Sequence, residues 1–204
     1  MSNFTYEFEN KSERLETYEW DNVWWEHADN SDVTRVLYIG DSISCGTRRI
    51  ATETAGDLYF DGLGTSKSVD NPFFFDTVSL FAKQQGYRSA VLFNNGLHGW
   101  HLDDESEYKD CYDRLVQFLM TDLEGAPIFL LLTTHVADAE RDARVRARNE
   151  AVVEIAEKYG LPVIDLYTLT LEHADYLSAD GVHFSREGYQ LIADAVIAEL
   201  RKVL

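Results

Sequence analysis

The chain is poor in the residues that staple small or secreted folds. It has two cysteines, Cys45 and Cys111, and three prolines in 204 residues. Two cysteines cannot build a disulfide framework, so a reducing, cytoplasmic setting is the expectation. Basic residues are also scarce: 18 Lys and Arg face 36 Asp and Glu, a formal net charge of −18. Phosphate binding needs clustered cations, so a nucleic-acid partner is excluded and adsorption to an anionic membrane is disfavoured. No apolar run reaches the ~18 residues of a membrane-spanning helix. Met1 to Asn10 lacks a basic segment followed by an apolar one, so no secretory signal is expected. Internal repeats, low-complexity tracts and linkers are lacking as well.

What is present is a core. Hydrophobic residues make up 45% of the chain and aromatics 13%, enough for one folded domain of this length. Residues 1–34 form an acidic arm, and 35–204 form the domain. Through residue 33 the arm carries nine acidic and two basic residues, yet also Trp20, Trp24 and Trp25. Such aromatics are costly to leave in water, so the arm is expected to pack on the domain, as a short strand and loop at a sheet edge. Trp24, Trp25 and His27 are possible walls of a pocket, with structural packing the preferred role.

Along the domain, apolar runs alternate with helical periodicity. Strands are expected at Val36–Ile39, Leu58–Phe60, Ser89–Phe93, Pro127–Leu132 and Pro162–Leu166. The second is followed by a glycine-rich turn, Asp61 to Ser66, and residues 47–57 are polar and mixed. Helices are expected from Asn71-Pro72 to Gln85, over 106–122, over 138–158, and after Ser185, where Tyr189, Ile192, Val196 and Leu200 make one stripe. Cys111 falls on the apolar side of its helix. The alternation implies an α/β fold of three layers, α/β/α, with a parallel sheet of about five strands in a flavodoxin-like arrangement.

Two stretches carry chemistry. Val36-Leu37-Tyr38-Ile39 stops at Gly40-Asp41-Ser42, which places Ser42 at the carboxyl end of a strand, where ligands bind in open α/β sheets. Near the other end stands Asp180-Gly181-Val182-His183, also between a strand and a helix. A serine hydroxyl needs a base, and the base needs a carboxylate to fix its tautomer. Asp180 and His183 in one tight loop can be that pair.

Gly-Asp-Ser at the first strand's end with Asp-x-x-His before the last helix resembles the SGNH, or GDSL, esterase and lipase family over residues 35–204. The resemblance implies a serine esterase working through an acyl-enzyme. Ser42 would be the nucleophile, His183 the general base and Asp180 its orienting carboxylate. Its substrate would be a small-molecule carboxylic ester, with a short acyl or acetyl group on a carbohydrate as the favoured kind, and no cofactor or metal is called for. The family's oxyanion hole takes the serine amide, a glycine amide and an asparagine side chain. Counting strands puts the glycine at Gly64 or Gly62 and the third-strand loop at Asn94 to His101, where Gly96-Leu97-His98 carries histidine in place of asparagine. A rival alignment makes Gly96 the amide donor and looks after the fourth strand, where Thr134 and His135 stand. The candidate donors are therefore Ser42, Gly64, Asn95, Gly96 and His98. Asn149 has a lesser claim, Cys45 lies close enough to line the site, and Tyr59, Trp100 and His101 are aromatic candidates for a polar substrate.

Other readings remain open at this stage. The order Ser, Asp, His also fits α/β-hydrolases, although their Gly-x-Ser-x-Gly elbow would need glycine where Ser44 stands. His98, His101, Asp103 and Asp104 could hold a metal, without an established ligand spacing. A non-catalytic binding module on an inactivated fold, or a lysophospholipase or thioesterase, are the functional alternatives.

Overall fold

The strands read as continuous apolar runs because both of their faces are covered. In the computed structural model, which describes Leu15 and residues 18–204, the strands and helices succeed one another in chain order. They are β1 (Asp21–Trp24), β2 (Thr34–Gly40), α1 (Ser42–Ala55), β3 (Leu58–Thr65), α2 (Phe74–Gln85), β4 (Ala90–Phe93), α3 (Glu105–Asp122), β5 (Ile128–Leu131), α4 (Ala139–Tyr159), β6 (Val163–Ile164), α5 (Leu166–Glu172) and α6 (Arg186–Leu200). A single 3₁₀ turn, Ala174–Tyr176, lies between α5 and α6. The first part of the 1–34 arm lies outside the described residues.

The sheet has six strands in the order β1-β3-β2-β4-β5-β6, parallel except for β1, which runs antiparallel along β3. Alternate residues divide between two cores. Leu37, Ile39, Val91, Phe93 and Leu130 meet α2 and α3 through Phe74, Tyr112 and Leu115. Val36, Tyr38, Leu92, Phe129 and Leu131 meet α1 and α6 through Ile43, Ile192 and Val196. Parallel strands flanked by helices on both faces are the expected three-layer arrangement, with one more strand at the edge.

Several boundaries differ from the sequence expectation, each for a physical reason. The polar stretch after Ser42 is α1; its buried face mixes Ile43 and Ala51 with the polar Ser44, Thr47, Arg48 and Thr52. The second strand runs on through the glycines to Thr65, so Gly62 and Gly64 lie inside β3 and not in a loop after it. They are glycines because α1 packs closely there: a Cβ at Gly62 would fall 2.4 Å from Arg48 Cδ, and one at Gly64 2.2 Å from Cys45 Sγ. Asn71 and Pro72 sit in the turn before α2, with Asn71 Oδ1 accepting from the Phe73 amide, and the helix itself begins at Phe74. The last strand shrinks to Val163–Ile164, and α5 follows directly.

At the sheet end away from Ser42, fully buried Asp61 accepts from Arg35, from Gln85 and from the Glu26 amide. These bonds tie the turn after β1 to the sheet. Asp61→Ala strands the Arg35 charge, so urea unfolding should show a loss of about 3–5 kcal/mol. A midpoint unchanged from the parent chain would show that the pair contributes nothing net.

Candidate active site

Ser42 is the first residue of α1. Asp41 caps that helix, its Oδ1 accepting from the Ile43 amide at 2.9 Å, and this fixes the sharp exit from β2. Ser42 thus stands, partly exposed, at a helix N-terminus, where the helix dipole favours developing negative charge.

The loop before α6 brings the other two residues. Asp180 Oδ1 accepts from the amides of Val182 and His183, each at 2.9 Å, and from Ser178 Oγ at 2.7 Å. Gly181 makes this turn at φ 74°, where a side chain would be strained, and its carbonyl accepts from the Ala137 amide at 2.8 Å. The loop is thereby pinned to the segment after β5. Asp180 Oδ2 lies 2.7 Å from His183 Nδ1, and His183 Nε2 lies 2.8 Å from Ser42 Oγ. Residues 141 apart in sequence close one hydrogen-bonded chain at the carboxyl edge of the sheet. Partial desolvation pushes the Asp180 carboxyl upward, but the bonds from Val182, His183 and Ser178 outweigh it and hold the group well below the usual carboxylate range.

A model of the GDSL-like lipase/acylhydrolase family matches residues 38–191, three quarters of the chain and the span from β2 into α6. The chain belongs to this family. It is accordingly a hydrolase acting on ester bonds. No curated protein matches it. Among solved structures, a lipase/acylhydrolase from Enterococcus faecalis is similar at a TM-score of 0.68 and 16% identity, covering 83% of this chain and 96% of that one. An acetyl xylan esterase gives 0.62 and 18%, covering 81% and 99%. Est24, a carbohydrate acetylesterase from Sinorhizobium meliloti, gives 0.66 and 13%, covering 84% and 100%. At these identities the likeness is one of fold.

The remaining site expectations for this GDSL-like chain divide sharply. Gly64 is paired on both sides, with Gly40 of β2 and Asn22 of β1. Asn95 is fully buried and donates Nδ2 to the Lys67 carbonyl at 2.7 Å. Gly96 approaches the next loop so closely that a Cβ would meet Thr133 Oγ1 at 1.8 Å. His98 is buried, its ring edge-on to Trp20 at 6.2 Å. Thr134 lines a small cavity shared with Asp41, Ile43, Ser44, Asn94 and Leu97, while His135 Nδ1 pairs with Asp142 Oδ1 at 2.7 Å. Asn149 clamps the backbone of Thr133 from both sides, accepting from its amide and donating to its carbonyl.

Other residues are placed elsewhere. Because β1 is antiparallel, Trp25 and His27 end at the far edge, Trp25 stacked on Phe81 and His27 against Tyr59. Tyr59 is level with Arg35 at the start of β2, away from Ser42. Trp24 lies under Arg49 and Trp100 under Arg144 and Arg148. His101 pairs with Asp70, Asp104 caps α3, and the largely exposed Asp103 faces Arg144, so His98, His101, Asp103 and Asp104 do not converge. Among the described residues no three His, Cys, Asp or Glu side chains gather as metal ligands. Cys45 abuts the Gly64 backbone.

Of the three tryptophans in the arm, Trp20 is the one that reaches the carboxyl edge of the sheet. Its amide and carbonyl bond Ser66 past the end of β3, at the same sheet edge as Ser42. Arg148 stands on the apolar stripe of α4 between Val145 and Val152.

Proposed function

We propose that this GDSL-like acylhydrolase is a serine esterase that removes short acyl groups, acetyl above all, from polar alcohols such as sugars. The hydrogen-bonded chain Ser42–His183–Asp180 carries the reading. The Ser42 oxygen attacks the ester carbonyl while His183 Nε2 takes the hydroxyl proton. Collapse of the tetrahedral species breaks the bond to the alcohol, which leaves with that proton from His183. Water then repeats the sequence on the acyl-Ser42 ester, releasing acid and free serine. Asp180 holds the imidazole with Nδ1 protonated. The amide of Ser42 and the loop carrying Gly96 and His98 face the oxyanion. Acetyl-carbohydrate specificity is supported by the acetyl xylan esterase and carbohydrate acetylesterase of the same fold.

A fluorophosphonate should label Ser42 alone, detected by peptide mass analysis. Across p-nitrophenyl esters from acetyl to dodecanoyl, with acetylated xylo-oligosaccharides in parallel, kcat/KM should be highest on acetyl and fall at least about tenfold by octanoyl. That ratio corresponds to about 1.4 kcal/mol of transition-state binding. A rising series toward long acyl chains would sink the acetyl assignment; a label on Ser44 or Ser66 would sink the nucleophile.

A further inference from the structure

The loop from Asn95 to Gly99 has its carbonyls drawn to one side. Tyr108 donates its hydroxyl to the Asn95 carbonyl at 2.5 Å. Arg148, with no exposed surface, donates to the carbonyls of Gly96 at 3.0 Å, His98 at 2.7 Å and Gly99 at 2.8 Å. Its Nε bonds Glu105, and the guanidinium lies 4.7 Å from the Trp100 ring and 4.4 Å from the Tyr108 ring. Burial lowers the Arg148 pKa, and Tyr108 and Glu105 oppose that. Burying a cation in full is expensive, and three carbonyls and a carboxylate are the compensation.

In a planar trans peptide, a carbonyl and the following N–H point in opposite directions, and no cis bond occurs among the described residues. Carbonyls held toward α3 and α4 therefore turn the amides of Gly96 and Leu97 away from those helices. Both residues are buried, and among the described residues neither amide makes a hydrogen bond within the protein. An unpaired buried N–H costs ~1–3 kcal/mol, so two together mark a place for an anion. Leu97 borders the small cavity that Asp41, Ile43 and Ser44 also line, and Gly96 stands three residues past Phe93 as Ser42 stands three past its partner Ile39.

We infer that Arg148 and Tyr108 are positioning residues for the oxyanion, holding the Gly96 and Leu97 amides toward Ser42 where the family uses an asparagine side chain. The inference rests on Ser42 being the nucleophile. On attack, the carbonyl π electrons move to oxygen, and the new anion accepts from those amides; no proton leaves Arg148 or Tyr108.

The test uses Tyr108→Phe, Arg148→Lys and Arg148→Gln in the full chain. Active sites are counted by fluorophosphonate labelling of Ser42, and kcat and KM on p-nitrophenyl acetate are taken per labelled site. Affinity for a boronic acid, which forms a tetrahedral adduct on serine, is measured beside them. Tyr108→Phe deletes one hydroxyl and keeps the ring, so it remains informative if the Arg148 variants fail to fold. Its kcat should fall about tenfold and that of Arg148→Lys about 10²-fold, within the range for losing an oxyanion donor, with KM within about threefold and boronate affinity weakened in step. Per-site kcat and boronate affinity both within about twofold of the parent, with only the melting temperature lowered, would overturn the inference and leave a structural clamp. A parent chain that does not label at Ser42 and is unaffected by Ser42→Ala would overturn the serine mechanism with it.

Discussion

Ser42→Ala should lower kcat on p-nitrophenyl acetate by at least about 10³-fold while the chain stays folded. The substitution removes a single oxygen from a partly exposed side chain at the first position of α1, where alanine is a good helix former. The helix cap is untouched, because Asp41 and not Ser42 accepts from the Ile43 amide. Neighbouring nucleophiles cannot take over. Ser44 is buried and donates its hydroxyl to the Asp41 carbonyl at 2.7 Å, and Cys45 is packed against the backbone at Gly64. What remains is ester polarisation by amide donors, which is why the expected residue of activity is small and not zero. Far-ultraviolet dichroism and melting temperature should match the parent within error. A loss under tenfold would place the nucleophile elsewhere.

The features legible in sequence were those made by neighbours in the chain. Val36 to Gly40 reads as a buried strand because every residue of it is apolar, and the turn at Asp41-Ser42 follows from the glycine and the cap. Asp180 and His183 were legible as a pair because three residues separate them in one loop, and Ser185 reads as a cap because it accepts from the Gly188 amide. Features that depend on distant partners were not legible. The apolar stripe of α1 is thin because much of its buried face, Ile43 and Ala51 aside, answers polar groups: Thr52 Oγ1 accepts from the Phe60 amide, and Arg48 reaches the Asn22 carbonyl. β1 is four exposed residues, with nothing in its pattern to distinguish it from a loop. Arg148 sits in a helix rich in charge, and its acceptors come from a loop some 50 residues earlier. The usable signal was a cation on the stripe shared with Val145, Val152 and Ile155. Its neighbour Asn149 lies on the same buried face, and the two side by side hold the loops after β4 and β5.

The pH profile should separate the two partners of Ser42. The imidazole acts as a base only when neutral, so log kcat/KM should rise with slope one as His183 loses its proton and level off above that limb. A second titration is not expected on that limb. The depressed pKa of Asp180 keeps it ionised wherever the enzyme is folded and active, and its contribution to stability is present above the unfolded value of about 3.9 and lost as pH falls through the folded one. His183→Ala should abolish the limb and cost at least about 10³-fold. Asp180→Asn is the more discriminating change. Its Oδ1 can still accept from Val182 and His183, so the turn should survive. In place of Oδ2, however, an NH₂ group would face His183 Nδ1 and demand the tautomer with Nε2 protonated, which cannot take the Ser42 proton. The expected loss is about 10⁴-fold in kcat near neutral pH, without a matching loss of stability. A profile that keeps its slope and height in Asp180→Asn would mean that the carboxylate only shapes the loop, and that the imidazole is oriented by another group.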